Sequence, residues 1–148
     1  MKRENAWKCL LPILCAALVF ALLALQGSAQ GRLQRTQRCF ARNEEALQHI
    51  AQRFDAGMRS GFAAEALRGI RSVRAQRESL VFVTQQTGIA PAGVVAGFYY
   101  SPEDVPIPYE KGYTLREESG GWSWQGRDDN RGWTGRMTEN WFYFEASN

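Results

Sequence analysis

The run Trp141-Phe142-Tyr143-Phe144 sets four large aromatic side chains in succession. In a strand, neighbouring side chains point to opposite faces, so Trp141 and Tyr143 share one side while Phe142 and Phe144 share the other. Neither side can be left to water. The strand therefore needs a helix over one face and apolar neighbours over the other.

The residues before it supply the neighbours. GYTLREES, WSWQG, GWTGRMT and WFYFE are four short runs of strand-forming residues, separated by Ser-Gly-Gly, Arg-Asp-Asp-Asn and Glu-Asn, each a hairpin-length turn signal. This predicts an antiparallel meander. Alternation puts Trp122 and Trp124 on one side of their strand, and Trp133, Gly135 and Met137 opposite Thr134, Arg136 and Thr138 on theirs.

Farther upstream, Phe40, Leu47, Ile50, Ala51, Phe54 and Met58 recur at helical spacing and predict one amphipathic helix ending near Ser60-Gly61. Its stripe must be buried, and the meander is the only apolar surface of suitable size. Trp122, Trp124 and Trp133 are therefore expected to line a core against this helix. The competing reading turns some of them outward beside Arg127, Arg131 and Arg136, as a platform able to stack on sugar rings or bases.

Between helix and meander, residues 62–68 suggest a further helical turn or two, and residues 69–75 suit a strand or a helical extension. Leu80 to Thr84 and VVAGFYY read as strands. SPEDVPIPYEKG, with Pro102, Pro106 and Pro108, cannot continue a central strand and is expected as a loop or edge. Tyr99, Tyr100, Pro102 and Tyr109 in GFYYSPEDVPIPY are candidate contact residues, because long loops in compact domains often carry binding.

The N-terminus carries an address. A short basic segment, MKRENAWK, precedes an uncharged and almost wholly apolar run at residues 9–25, and Gly27 and Ala29 stand at the small-residue positions of a signal-peptidase site. Residues 1–29 are expected to be a signal peptide cut after Ala29 or a retained signal anchor, since the run sits at the lower limit for a membrane span. Arg32, Arg35, Arg38 and Arg42 put positive charge on the far side of the run as well, so the charge rule leaves both orientations of a retained anchor open; the short N-terminal tail and the small-residue cleavage site favour the rest of the chain outside the cytoplasm, in a bacterial-type cell envelope or periplasm. Residues 30–38 are expected as a polar linker and residues 39–148 as a single domain.

Net charge is +3, but it is unevenly spread: residues 31–77 carry ten arginines against four acids, and residues 78–148 carry five basic against ten acidic groups. Such asymmetry marks a surface for anionic polymer or lipid, or two halves that neutralise each other. Cys39 is the only thiol beyond the apolar run and is expected as a buried free cysteine, with an intermolecular link as the alternative. His49, the only histidine, lies beside the helical stripe and is expected in solvent. Asp128, Asn130 and Glu139 match positions 1, 3 and 12 of a calcium loop, but Trp133 occupies the position that needs glycine. The paired acids Glu103-Asp104, Glu117-Glu118 and Asp128-Asp129 read as solvated turn and strand-end residues rather than a glycosidase pair. No phosphate loop, dinucleotide fingerprint or nucleophile elbow is present, and no metal or cofactor is expected.

Together these features predict an α+β chain: an N-terminal export or transmembrane helix, then one amphipathic helix packed on an antiparallel β-meander. The element order is similar in outline to cystatin-like and NTF2-like folds, an analogy that transfers no function. The expected function is non-catalytic binding of another envelope protein through GFYYSPEDVPIPY and the sheet edge. The alternative is binding of cell-wall glycan or anionic polymer through Trp and Arg on the sheet, and a small-molecule enzyme in an α+β pocket is third. Membrane contact is expected through residues 9–25 if they are uncut, and nucleic acid is not an expected partner.

Overall fold

The computed structural model describes residues 28–148 apart from 77, 90, 91, 128 and 148. The chain divides into two compact units between Gln34 and Arg35, and the sheet belongs wholly to the second. Among the described residues no helix is long and apolar enough to cross a membrane. The apolar run at 9–25 and the expected export helix lie outside the described residues.

Two helices precede the sheet: α1 over Ala29–Arg42 and α2 over Glu44–Asp55. The stretch expected as a polar linker at 30–38 is thus helical. Its Gln and Arg residues are good helix formers despite their polarity, and the Ser28 hydroxyl caps the start by accepting the Gly31 N–H at 3.1 Å. The single predicted helix is also broken at Asn43. The Asn43 side chain donates to the Cys39 and Arg68 carbonyls at 2.7 and 3.0 Å and accepts the Arg68 N–H at 3.0 Å. One buried amide therefore fixes the helix corner to the segment that leads into the sheet. Residues 62–68 contain only a short 3-10 turn, Ala64–Ala66.

Seven strands follow: β1 Ser72–Ala75, β2 Leu80–Ile89, β3 Ala92–Tyr100, β4 Arg116–Glu118, β5 Gly121–Gln125, β6 Arg131–Thr138 and β7 Trp141–Ser147. They form one antiparallel sheet in the order β1-β2-β3-β7-β6-β5-β4, so the protein is α+β with two helices packed on a seven-stranded sheet. The first three strands are one meander and the last four another. They join where β7 pairs with β3, Phe98 opposite Tyr143 and Tyr100 opposite Trp141.

The aromatic run in β7 is covered on both sides, as alternation requires, but by different means. On one face Leu47, Ala51 and Phe54 of α2 and Cys39 of α1 meet Leu80, Phe82, Phe98, Tyr100 and Trp141. Phe40 sets its ring edge-on to Phe98 and Trp141, with centroids 5.4 and 5.1 Å away. On the other face Val81, Val83, Tyr99, Phe142 and Phe144 form a second core. No helix covers it. Its lid is the segment at 101–115, whose Ile107 and Tyr109 pack onto it.

Polar bonds tie this lid down. Tyr109 stacks on Phe144 at 4.5 Å, and the Tyr99 hydroxyl accepts the Ile107 N–H at 2.9 Å while pairing with the Thr134 hydroxyl at the same distance. Asp104, in the left-handed region at φ 54°, is held by the Arg136 guanidinium and by the Asn140 N–H at 2.7 Å. The Asn140 amide and Arg136 lower the Asp104 carboxyl below its usual range, in that order of effect.

Burial drives the phenols of Tyr99 and Tyr100 up to about 12, and for Tyr100 a 2.7 Å bond to the Asp55 carboxylate adds to the rise. Unfolded tyrosines ionise near 10. These two therefore add stability that is fully present below about pH 10 and disappears as pH climbs through about 12. In an alkaline titration read by tyrosinate absorbance, Tyr99 and Tyr100 are expected to ionise well above pH 10 as long as the fold persists. All five titrating near pH 10 in folded protein would contradict this.

Candidate functional site

The cross-strand register separates the tryptophans. Trp122 lies opposite Thr134, which lies opposite Phe144, and Trp124 lies opposite Gly132, which lies opposite Ala146. Both rings therefore share the face of Phe142 and Phe144, away from the helices. This corrects the expectation that they pack against the amphipathic helix. Trp122 joins the second core, and Trp124 lies over Gly132 and stacks on Tyr113 at 4.8 Å, nearly parallel.

Trp133 takes the other side. It lies opposite Glu145, on the helix-side face, but outside the core the helices cover. Its six-membered ring is seated on backbone: a Cβ at Gly135 would come within 2.3 Å of it, and one at Gly121 within 2.7 Å. Two glycines thus make a flat bed on which the indole lies, with Tyr143 beside it at 5.9 Å. Only Trp141 of the four meets the helices directly.

Two cross-strand rows build a groove around this ring. Ser123, Trp133 and Glu145 make one, and Gln125, Arg131 and Ser147 the next. They line a recess of about 280 Å³. Glu145 is oriented by the Tyr143 hydroxyl, which donates to it at 2.9 Å. The groove offers an aromatic plane, one cation, one anion and small hydroxyl and amide groups within a few ångströms. This is a set for gripping a ring that is apolar on its faces and hydroxylated at its rim.

A second recess, about 310 Å³, lies beside α1. Arg35, Arg38, Arg42 and Arg68 surround it, and Cys39, Thr84 and Gln85 contribute to its lining. The Thr36 hydroxyl pairs with the Thr84 hydroxyl at 3.0 Å at the β-bulge of β2, and the Gln85 amide donates to the Thr36 oxygen at 3.2 Å. Cys39 is a buried free thiol as expected. Burial pushes the pKa of its thiol up, against the pull of Arg42, and it donates to the Arg68 carbonyl at 3.3 Å. A third recess, of about 360 Å³, opens between the β1–β2 turn and the lid, with the buried Ser79 hydroxyl unpartnered among the described residues.

The candidate contact residues separate in the same way. Tyr99 and Tyr100 are buried in the two cores, Tyr109 is half-buried on Phe144, and Arg136 is paired with Asp104 and lies over the Phe142 ring at 4.8 Å. Pro102 is exposed at the start of the lid, and Arg127 is exposed in the β5–β6 turn. Arg131 alone of the seven lies in the Trp133 groove. Ser123, Gln125, Glu145 and Ser147 escaped the sequence reading, although polar residues at 123 and 125 alternating with Trp122 and Trp124 mark a solvated strand face. His49 is exposed, and among the described residues no three His, Cys, Asp or Glu side chains gather as a metal site would need. Asp128 of the partial calcium pattern lies outside the described residues.

The fold and its recesses thus define an α+β domain with an aromatic groove on the open part of its helix-side sheet face. No protein-family model matches the chain, and no curated protein or solved structure matches it either.

Proposed function

We propose that this is an exported cell-envelope protein, released or held by the segment at 9–25, whose second unit is a non-catalytic module that binds a cell-wall glycan on the Trp133 face. The observation that carries the reading is the Trp133 ring laid on the Gly121–Gly135 bed, with Ser123, Gln125, Arg131 and Glu145 around it. Sugar rings present C–H faces that pack on an indole plane, and rim hydroxyls that suit charged and amide partners.

The protein-binding reading rested on GFYYSPEDVPIPY and the sheet edge. Tyr99, Ile107 and Tyr109 of that segment pack in the second core and Phe98 and Tyr100 in the first, and one sheet edge, β4, is three exposed charged residues, Arg116, Glu117 and Glu118. Short charged edges discourage strand addition. Co-sedimentation of the full chain with insoluble cell-wall glycan tests the proposal. Wild-type protein is expected to pellet with the glycan. Trp133→Ala is expected to weaken binding at least about tenfold, roughly 1.4 kcal/mol. Gly135→Ala, which pushes the ring off its bed while keeping it present, should weaken binding as well. Wild-type levels of pelleting by both variants would overturn the reading.

A further inference from the structure

We infer that the arginine recess is a binding site for a phosphate group, separate from the aromatic groove. Arg35, Arg38 and Arg42 are spaced three and four apart, which puts them on one flank of α1. Like charges at that spacing repel and cost the helix a few tenths of a kcal/mol per pair, so they disfavour the helix they sit on unless an anion is present. Arg68 adds a fourth guanidinium from 26 positions beyond Arg42.

The placement of Arg68 is fixed. Its N–H and carbonyl are both bonded to the Asn43 amide, and the same carbonyl accepts from Cys39. The backbone that carries the fourth arginine is therefore locked to the corner of the helix that carries the other three. Among the described residues none of the four forms an ion pair, and no acidic side chain lines the recess. Thr84 and Gln85 add neutral polar groups at the β2 bulge. Guanidinium forks match phosphate oxygens in pairs, and a recess of this volume accommodates one phosphate group with part of the molecule that bears it.

A phosphate can reach the site on a soluble ester or on a phospholipid headgroup. Arg35 lies ten positions after the apolar run ends at Leu25, so a phospholipid headgroup is a source the test must separate from a soluble one.

The test uses the full chain in nonionic detergent, with the thermal midpoint followed against inorganic phosphate at constant ionic strength in chloride. Ligand that binds only the folded state raises the midpoint progressively once its concentration exceeds Kd. Wild-type protein is expected to show this rise, and Arg38→Gln/Arg68→Gln to lose it. Arg38→Lys/Arg68→Lys keeps the charge but not the forks, and is expected to bind at least about tenfold more weakly. Repeating the titration with glycerol phosphate and with phosphatidylglycerol-doped micelles separates the sources, phosphatidylcholine serving as the zwitterionic control. A rise with either phosphate carrier supports the site and names its ligand. No rise with phosphate, glycerol phosphate or phosphatidylglycerol beyond that of chloride, or an undiminished rise in the glutamine variant, overturns it.

Discussion

Phe142→Ala is expected to lower the unfolding free energy by about 3–5 kcal/mol, as large as any core deletion on the helix side. Phe142 is fully buried, stacked on Tyr99 at 5.3 Å and met by the Trp122 ring at 6.2 Å. Its cover is a segment without regular secondary structure. If that lid packs as a true core, the cavity left by the phenyl ring cannot collapse, because Tyr99 is held by Thr134 and Ile107. Urea denaturation of Phe142→Ala beside Phe82→Ala, the fully buried counterpart under the helices, makes the comparison direct. A loss under about 1.5 kcal/mol for Phe142 with the full loss for Phe82 would mean that the lid is loose and the sheet has one core.

Gly97→Ala is expected to be at least as damaging, about 3 kcal/mol or more, for a steric reason alone. Gly97 sits in the middle of β3, opposite Val83 and Phe144. An added Cβ would lie 2.0 Å from the Phe82 carbonyl oxygen and 3.0 Å from the Phe144 ring. The ring can shift; the carbonyl cannot without breaking the β2–β3 ladder beside its bulge. Because the φ of Gly97 is not in the left-handed region, conformational preference is not at issue and the whole effect reports packing. Failure of the variant to accumulate as folded protein, or a large drop in its denaturation midpoint, is the expected result, and near wild-type stability would contradict the register described here.

The strands and the helical stripe were legible because each rests on local periodicity. Leu47, Ala51 and Phe54 face the core as their spacing requires, and the turns at 119–120 and 139–140 fall where Gly and Asn allow positive φ. Faces within a strand were legible too. What alternation does not contain is the relation between strands. Trp122 and Trp133 sit one position out of phase across the β5–β6 register, so they face opposite sides of the sheet, and no property of either strand alone reveals which side holds the helices.

The prolines of the lid exclude a strand and so point to a contact loop, and only Ile107 and Tyr109 hint at burial. The linker was read from polarity where helix propensity and the Ser28 cap decided. For the sites, the excess of arginine in residues 31–77 was visible, but its gathering into a recess depends on Asn43 bonding to Arg68, a contact across 25 positions. The Trp133 groove left one local trace, the small Gly135 two positions on, which makes room for a ring to lie flat.

The most direct test of the proposed glycan site follows the indole N–H resonances of the full chain during titration with soluble cell-wall glycan fragments. The Trp133 signal, assigned by its absence in Trp133→Phe, is expected to shift saturably while that of the buried Trp141, which does not line the recess, stays in place. A Trp133 signal that does not move at saturating glycan, or a larger shift at Trp122 in the lid-side core, would contradict the account.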